Sequence, residues 1–287
     1  MRFTKMHGAG NDYIYVNCFE ERLERPWELA VKLSNRHFGV GGDGLILICP
    51  PSSQDADCRM EMYNADGSRA EMCGNGIRCV AKYAYDHGIA RKPDIRIDTD
   101  AGPKTVRVFT GTDGRVEQVE VNMGPPSLAR ETVPFHDGGD PRAPAINVPI
   151  QVLGRTFHVT AVSMGNPHAV IFLNDHPGLP PLAEIPLSDW GPHFEKHPSF
   201  PRRTNAELIT RRSASEIDFR VWERGSGETL ACGTGACAAV VAGVLNGWLE
   251  REALVHLRGG DLRIRWDLNG PVYMTGPAVE VFTGEIP

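Results

Sequence analysis

Hydrophobic positions in this chain come in short runs and in alternation, which marks strands rather than long amphipathic helices. Tyr13-Ile14-Tyr15-Val16 and Leu45-Ile46-Leu47-Ile48 read as strands, and Cys58 to Tyr63 alternates. Further short strands are predicted over Ile95 to Ile97, Thr105 to Phe109, Val116 to Val121, Val159 to Ser163, Ala169 to Leu173, Ala206 to Thr210 and Ile217 to Trp222. The chain closes with strands at Leu254 to Leu257, Leu262 to Trp266, Val272 to Thr275 and Val279 to Phe282. Helices are few. One covers Trp27 to Ser34, with Pro26 suited to its first turn. One runs through Val80 to Tyr85 and stops at His87-Gly88, and one spans Ala236 to Leu249. The last is apolar on nearly every side, so it belongs inside a shell of strands. Phe135 to Pro149 and most of Pro177 to Pro201 read as loop, with one short helix near Trp190.

The two later helices follow the same motif, Cys73-Gly74-Asn75-Gly76 and Cys232-Gly233-Thr234-Gly235. A shift of 159 residues lays Tyr63-Asn64 on Trp222-Glu223 and the first motif on the second without a gap. Upstream, Gly10-Asn11 precedes Tyr13 to Val16 as Gly165-Asn166 precedes Ala169 to Leu173. Such a repeat implies two similar halves. The expected fold class is α/β (α+β), with two pseudo-symmetric domains, each a strand-rich layer wrapped around a central helix. The active site is expected in the interdomain cleft. Asn122-Met123-Gly124-Pro125-Pro126 reads as the linker, which places the domains at 1–124 and 125–275.

A net charge of −6 and an isoelectric point near 5.9 argue against a nucleic-acid partner and suit a small-molecule substrate. No apolar run approaches the roughly 20 residues that span a membrane, so no membrane partner is expected and a cytoplasmic location is the default. Seven cysteines without regular spacing do not make a disulfide framework. Neither Cys73 with Cys79 nor Cys232 with Cys237 is a Cys-x-x-Cys pair, so no metal site is expected there. His193 and His197 stand four apart in proline-rich sequence and read as solvated loop.

Cys73 and Cys232 stand where helices begin. There, the positive end of the helix dipole and unpaired backbone N–H groups lower a thiol's pKa and bind carboxylates. A lone cysteine in that setting is ordinarily structural. Two copies suggest a pair of acid–base groups flanking one carbon, one taking a proton while the other gives one. Cys79 and Cys237 fall inside helices and read as core; Cys18, Cys49 and Cys58 lie in or beside strands and read as structural. Gly233-Thr234-Gly235-Ala236-Cys237-Ala238 also fits the G-x-G-x-x-A dinucleotide pattern, the basis for an NAD-binding oxidoreductase as the rival class.

Several longer motifs point to a family: His7-Gly8-Ala9-Gly10-Asn11-Asp12, Asn35 to Gly41, Tyr63 to Ser68 and Met72 to Gly76 in the first half, then Met164-Gly165-Asn166-Pro167-His168, Arg203-Thr204-Asn205 and Glu223 to Thr229 leading into Cys232. The chain resembles the diaminopimelate epimerases essentially end to end. The resemblance implies cofactor-independent interconversion of LL- and meso-diaminopimelate in lysine and peptidoglycan precursor synthesis. Cys73 and Cys232 match the acid and base. Asn11, Asn64, Asn166, Asn205, Glu223 and Arg224 match substrate-holding positions. Gly74, Asn75, Gly233 and Thr234 match the loops that bind the α-carboxylate through backbone N–H groups, and His168 matches a supporting residue paired with Glu223. The resemblance further implies that the last residues, 276–287, rejoin the first domain and that the protein is a homodimer. Proline racemase-like enzymes share this pattern and are the nearest alternative. Where some family members contact substrate through a glutamine, this chain has Gly44.

Overall fold

Strands dominate both halves of the chain, and each half buries one long helix among them. The computed structural model describes residues 1–268 and 270–287. It divides into one unit of Met1–Asn122 with Thr275–Pro287 and a second of Met123–Met274.

In the first unit, β1 (Arg2–Gly8) and β2 (Asn11–Asn17) form an antiparallel hairpin. Its two-residue turn, Ala9-Gly10, takes positive φ at both positions, as a tight hairpin requires. After α1 (Pro26–Ser34), β3 (Gly44–Cys49) lies parallel to β2. Then β4 (Cys58–Asn64) pairs antiparallel with β3 and with the short β5 (Arg69–Ala70). The helix α2 (Gly74–Asp86) carries the chain over to β6 (Asp94–Asp98), parallel to β4. The antiparallel strands β7 (Lys104–Thr110) and β8 (Val116–Gly124) follow.

The second unit repeats this order. A hairpin of β9 (Val148–Val152) and β10 (Arg155–Ser163) leads antiparallel into β11 (Pro167–Phe172). A connection containing α3 (Leu187–Glu195) returns as β12 (Asn205–Ser213), parallel to β11. Next, β13 (Glu216–Glu223) pairs antiparallel with β12 and with β14 (Gly227–Glu228). The helix α4 (Gly233–Leu245) crosses to β15 (Glu252–Leu257), parallel to β13, and β16 (Gly260–Trp266) pairs with β15. After β17 (Val272–Pro277), β18 (Val279–Glu285) runs antiparallel to β1 in the first unit. The two long helices have 13 residues each and start 159 residues apart, at Gly74 and Gly233. The sequence repeat is therefore a repeat of topology, in a mixed α/β, strand-rich fold.

Both helices are deeply buried, by different means. Every residue from Gly235 to Gly243 of α4 is buried, as its uniform apolarity demands. By contrast, α2 buries Arg78 and Lys82. Such cations stay inside only when hydrogen-bonded. Arg78 donates to the carbonyls of Gly74 and Pro277, each at 3.2 Å, and Lys82 to Asp86 and the Val116 carbonyl, each at 2.7 Å.

Several boundaries differ from the sequence expectation. Helix α2 starts at Gly74, not at Val80, because its capping residue is Cys73 itself. Helix α4 stops at Leu245 rather than Leu249, and the chain reverses at Gly247, which holds a φ of 71°. That reversal folds Leu249 back against Gly243, where any side chain would collide with it. The stretch predicted as a linker, Asn122 to Pro126, is strand as far as Gly124. The stretch predicted as loop over Phe135 to Pro149 gives way to β9 at Val148. Among the described residues no helix is long and apolar enough to cross a membrane.

Candidate active site

The first turn of each long helix is built the same way. Cys73 is extended at φ −135° and ψ 123°, and Cys232 at φ −124° and ψ 106°; each is the N-cap of its helix. Each sulfur accepts the N–H three residues on, Gly76 for Cys73 and Gly235 for Cys232, both at 3.4 Å. A cap satisfies one of the orphan donors of a first turn. The N–H groups of Gly74, Asn75, Gly233 and Thr234 lie in the same two turns, where helix geometry offers no internal acceptor. The third-position glycines differ in what an added side chain would meet. A Cβ at Gly76 would lie 2.7 Å from Ile46 Cδ1, and one at Gly235 would lie 2.9 Å from Glu207 Oε1.

Around Cys73, Asn11 at the start of β2 is the organising residue. Its Oδ1 is 3.3 Å from Cys73 Sγ and 3.4 Å from Asn75 Nδ2. Its Nδ2 donates to Asp43 Oδ2 at 2.7 Å. Since an ionised carboxylate can only accept, Asp43 decides which end of the Asn11 amide faces the sulfur. Asp43 also accepts the Asp12 N–H at 3.1 Å and pairs with Arg36 at 2.9 Å. Burial works to raise the Asp12 carboxyl, but Arg36 and Lys5 beside it hold it below its ordinary range.

Around Cys232 a longer polar chain runs inward from the helix terminus. Thr234 Oγ1 is 3.5 Å from Cys232 Sγ, and Asn166 Nδ2 donates to Thr234 Oγ1 at 3.4 Å. Asn166 Oδ1 is 3.0 Å from His168 Nε2, and His168 Nδ1 is 2.7 Å from Glu207 Oε1. Asn205 joins from the neighbouring strand, its Nδ2 donating to the Pro167 carbonyl at 3.2 Å and its Oδ1 accepting the Arg224 N–H at 2.8 Å. The Glu223 carboxylate accepts the Thr229 hydroxyl at 2.5 Å.

The electrostatics at Cys232 reverse one expectation. The helix N-terminus was expected to lower the thiol. Instead burial pushes it well above its ordinary value, and the charges of Glu223 and Glu207 add to that. The Thr234 hydroxyl and the Gly235 N–H pull the other way and are outweighed. Desolvation is strong because Cys232 is only 4% exposed.

Thus Asn11, Cys73, Gly74 and Asn75 come together in the first unit, and Asn166, His168, Asn205, Cys232, Gly233 and Thr234 in the second. Glu223 lies near enough for its charge to act on Cys232. Asn64 stands at the end of β4, bonded to Ser68 Oγ at 2.9 Å. The Arg224 guanidinium is exposed and donates to the Arg202 carbonyl at 3.1 Å. Gly44, paired with Asn64, faces the Tyr63 carbonyl so closely that no side chain fits there, and Tyr13 Cε1 would be 2.8 Å from a Cβ. His193 lies in α3 while His197 lies beyond its end, and no group of three or more metal-ligating side chains occurs among the described residues. Two residues of these networks, Asp43 and Glu207, were not anticipated. Asp43 stands in the glycine-rich stretch Gly39 to Gly44, which carries no signal of its role, while Glu207 leaves one signal, a lone carboxylate inside the apolar run Ala206 to Ile209.

The fold is shared with solved structures of distant sequence. A probable proline racemase from Agrobacterium radiobacter K84 superposes with a TM-score of 0.69 at 15% identity, covering 100% of this chain and 92% of that one. A hydroxyproline epimerase from Agrobacterium vitis gives 0.67 at 15% identity, covering 99% and 91%. Within that fold the sequence is more specific. The diaminopimelate epimerase family profile matches residues 3–129 and 160–281. The diaminopimelate epimerase of Acetivibrio thermocellus is 53% identical over 100% of this chain and 98% of its own length. That of Desulfovibrio desulfuricans is 52% identical over 99% and 98%. The chain belongs to the diaminopimelate epimerase family.

Proposed function

We propose that this protein interconverts LL- and meso-2,6-diaminopimelate, without a cofactor, in lysine and peptidoglycan precursor synthesis. The observation that carries this is the duplicated device: each unit caps its buried helix with a cysteine, in a chain about half identical over its full length to diaminopimelate epimerases. Cys73 and Cys232 act on opposite faces of one α-carbon. The thiolate of one takes the α-proton and becomes a thiol. The thiol of the other delivers its proton to the opposite face and becomes a thiolate, so the configuration inverts. The developing negative charge on the α-carboxylate is stabilised by the first-turn N–H groups of Gly74, Asn75, Gly233 and Thr234.

Asn11, Asn64, Asn166, Asn205, Glu223 and Arg224 hold the substrate, with His168 in support. An arginine suits the distal carboxylate. Burial first, and the charges of Glu223 and Glu207 after it, favour the Cys232 thiol, and a substrate ammonium beside Glu223 offsets part of that negative field. The functional domains are 1–124 with 276–287, and 125–275, and the protein works as a cytoplasmic homodimer. The deciding experiment is turnover of purified LL-diaminopimelate in D₂O without added cofactor. Deuterium at the inverted carbon is the expected result. Product that keeps the substrate's own hydrogen would eliminate the two-base scheme, and no turnover would eliminate the substrate assignment.

A further inference from the structure

On the inner end of the polar chain below Cys232 sits a carboxylate that the two-base scheme does not use. Glu207 and His168 are both 0% exposed. Glu207 lies on β12, flanked by Ala206 and Leu208, which face the apolar core of the second unit. Alternation along the strand turns Glu207 and Asn205 to the other side, where Gly235 of α4 closes over Glu207 Oε1. Its Oε2 has no hydrogen-bond partner among the described residues. A buried carboxylate is costly, and an unpartnered oxygen adds to that cost. An apolar residue in this strand would be cheaper for folding alone.

The contacts of Glu207 suggest what it contributes. With Oε1 at 2.7 Å from His168 Nδ1, the proton between them lies on one or the other. A neutral ring that gave its only proton to Nδ1 would leave Nε2 bare, but Asn166 Oδ1 at 3.0 Å is an acceptor and requires a proton on Nε2. The pair therefore holds two protons, one between Glu207 and Nδ1 and one on Nε2, balanced by the one Glu207 charge. Asn166, held by its Oδ1, must then donate from Nδ2 to Thr234 Oγ1. Thr234, having accepted, has its own hydroxyl hydrogen left for Cys232 Sγ. Each link fixes the direction of the next. We propose that Glu207 is a positioning residue for the epimerisation: by holding His168 with Nε2–H outward, it orients Asn166 and Thr234 so that the Thr234 hydroxyl points at Cys232. The groups facing Cys232 in this arrangement are Glu207, Glu223, Thr234 and the Gly235 N–H.

The proposal rests on the proposed epimerase function, and its test separates the two. Glu207→Gln keeps the volume and removes the charge. Its kcat for LL-diaminopimelate should fall by roughly tenfold to a hundredfold, the scale felt when the partner orienting a functional imidazole is lost, with KM within about threefold. The ¹⁵N spectrum of His168 should show a protonated Nε2 in the wild type and a mixture of tautomers in the variant. A folded Glu207→Gln protein with wild-type kcat overturns the proposal. So does a wild-type His168 with a bare Nε2, a measurement that stands even if the variant fails to fold. If the wild type leaves diaminopimelate unchanged, the functional assignment fails, while the His168 spectrum still decides the role of Glu207.

Discussion

The two cysteine loops are the same device set in different surroundings. Both sulfurs cap a 13-residue helix and take the N–H three residues on at the same distance. Around Cys73 the setting is more open: the residue is half-buried, and its sulfur meets the Asn11 amide oxygen, which Asp43, in a partly exposed cluster with Asp12 and Arg36, holds in place. Around Cys232 it is closed, with a buried imidazole, a buried carboxylate and a second carboxylate nearby. The backbone cradle is the same in both units, and the side chains behind it differ. The same cap thus stands in unequal surroundings, and on the proposed two-base scheme that inequality can be measured.

The largest effects should come from the sulfurs, where the halves are most alike. Cys73→Ala and Cys232→Ala should each lower kcat by roughly 10²–10⁴-fold or more, the contribution of a positioned proton-transfer group. The double variant should be scarcely worse than either single one, because the two act as a unit. Near-normal turnover by either single variant would mean that the halves are not partners.

A smaller effect separates the supporting residues. Asp43→Asn allows the Asn11 amide to turn over, since an asparagine at 43 can donate as well as accept. Losing a hydrogen bond to a charged acceptor costs about 1.5–3 kcal/mol, so kcat should drop by at least roughly tenfold. The loss should not be rescued by raising pH. If Asp43→Asn matched the wild type, the Asn11 orientation would be irrelevant to Cys73.

The glycines of the two cradles give a stability test of the same contrast. An added Cβ at Gly76 meets the flexible ends of Ile46 and Met60, at 2.7 and 3.1 Å. At Gly235 it meets Glu207 Oε1 at 2.9 Å, the Phe219 ring at 3.1 Å and Cys232 Sγ at 3.2 Å. Alanine gains about 1 kcal/mol of helix propensity over glycine at either position. Side chains can yield at Gly76, so Gly76→Ala should be near neutral. At Gly235 overpacking of about 1–3 kcal/mol should dominate. Thermal melts of the two variants check this, and equal melting points would show that the second cradle is no tighter than the first.

Much of this was legible in the sequence because the device is local. A cysteine, a glycine one residue on and another three on describe an N-cap and the close approach it needs, and the 159-residue offset carried directly into topology. What failed to show depends on contacts far along the chain. Glu207 gains its meaning from His168, 39 residues earlier on the adjacent strand. Gly44 is explained by the Tyr63 carbonyl across the β3–β4 ladder. The Cys232 thiol was misjudged for the same reason. A helix terminus is visible in sequence, whereas the desolvation and the two carboxylates that outweigh it appear only once the strands are assembled.

That misjudged thiol supplies the finest test of the asymmetry. Only the thiolate reacts with iodoacetamide, so the alkylation rate of a cysteine rises with pH through its own pKa. An ordinary thiol reaches half its limiting rate near pH 8.5. Since the folded-state value of Cys232 is raised, its alkylation in the substrate-free protein should reach the midpoint above that pH. Restricted access slows attack by a constant factor at every pH and lowers only the plateau, whereas desolvation raises the thiol's pKa and moves the midpoint, so the two influences separate in one titration. Glu223→Gln removes a negative charge that favours the thiol form and should move the midpoint downward. Mass spectrometry of the Cys232 peptide after timed labelling reads this directly. A Cys232 midpoint below that of an ordinary thiol would mean that the helix terminus outweighs burial after all.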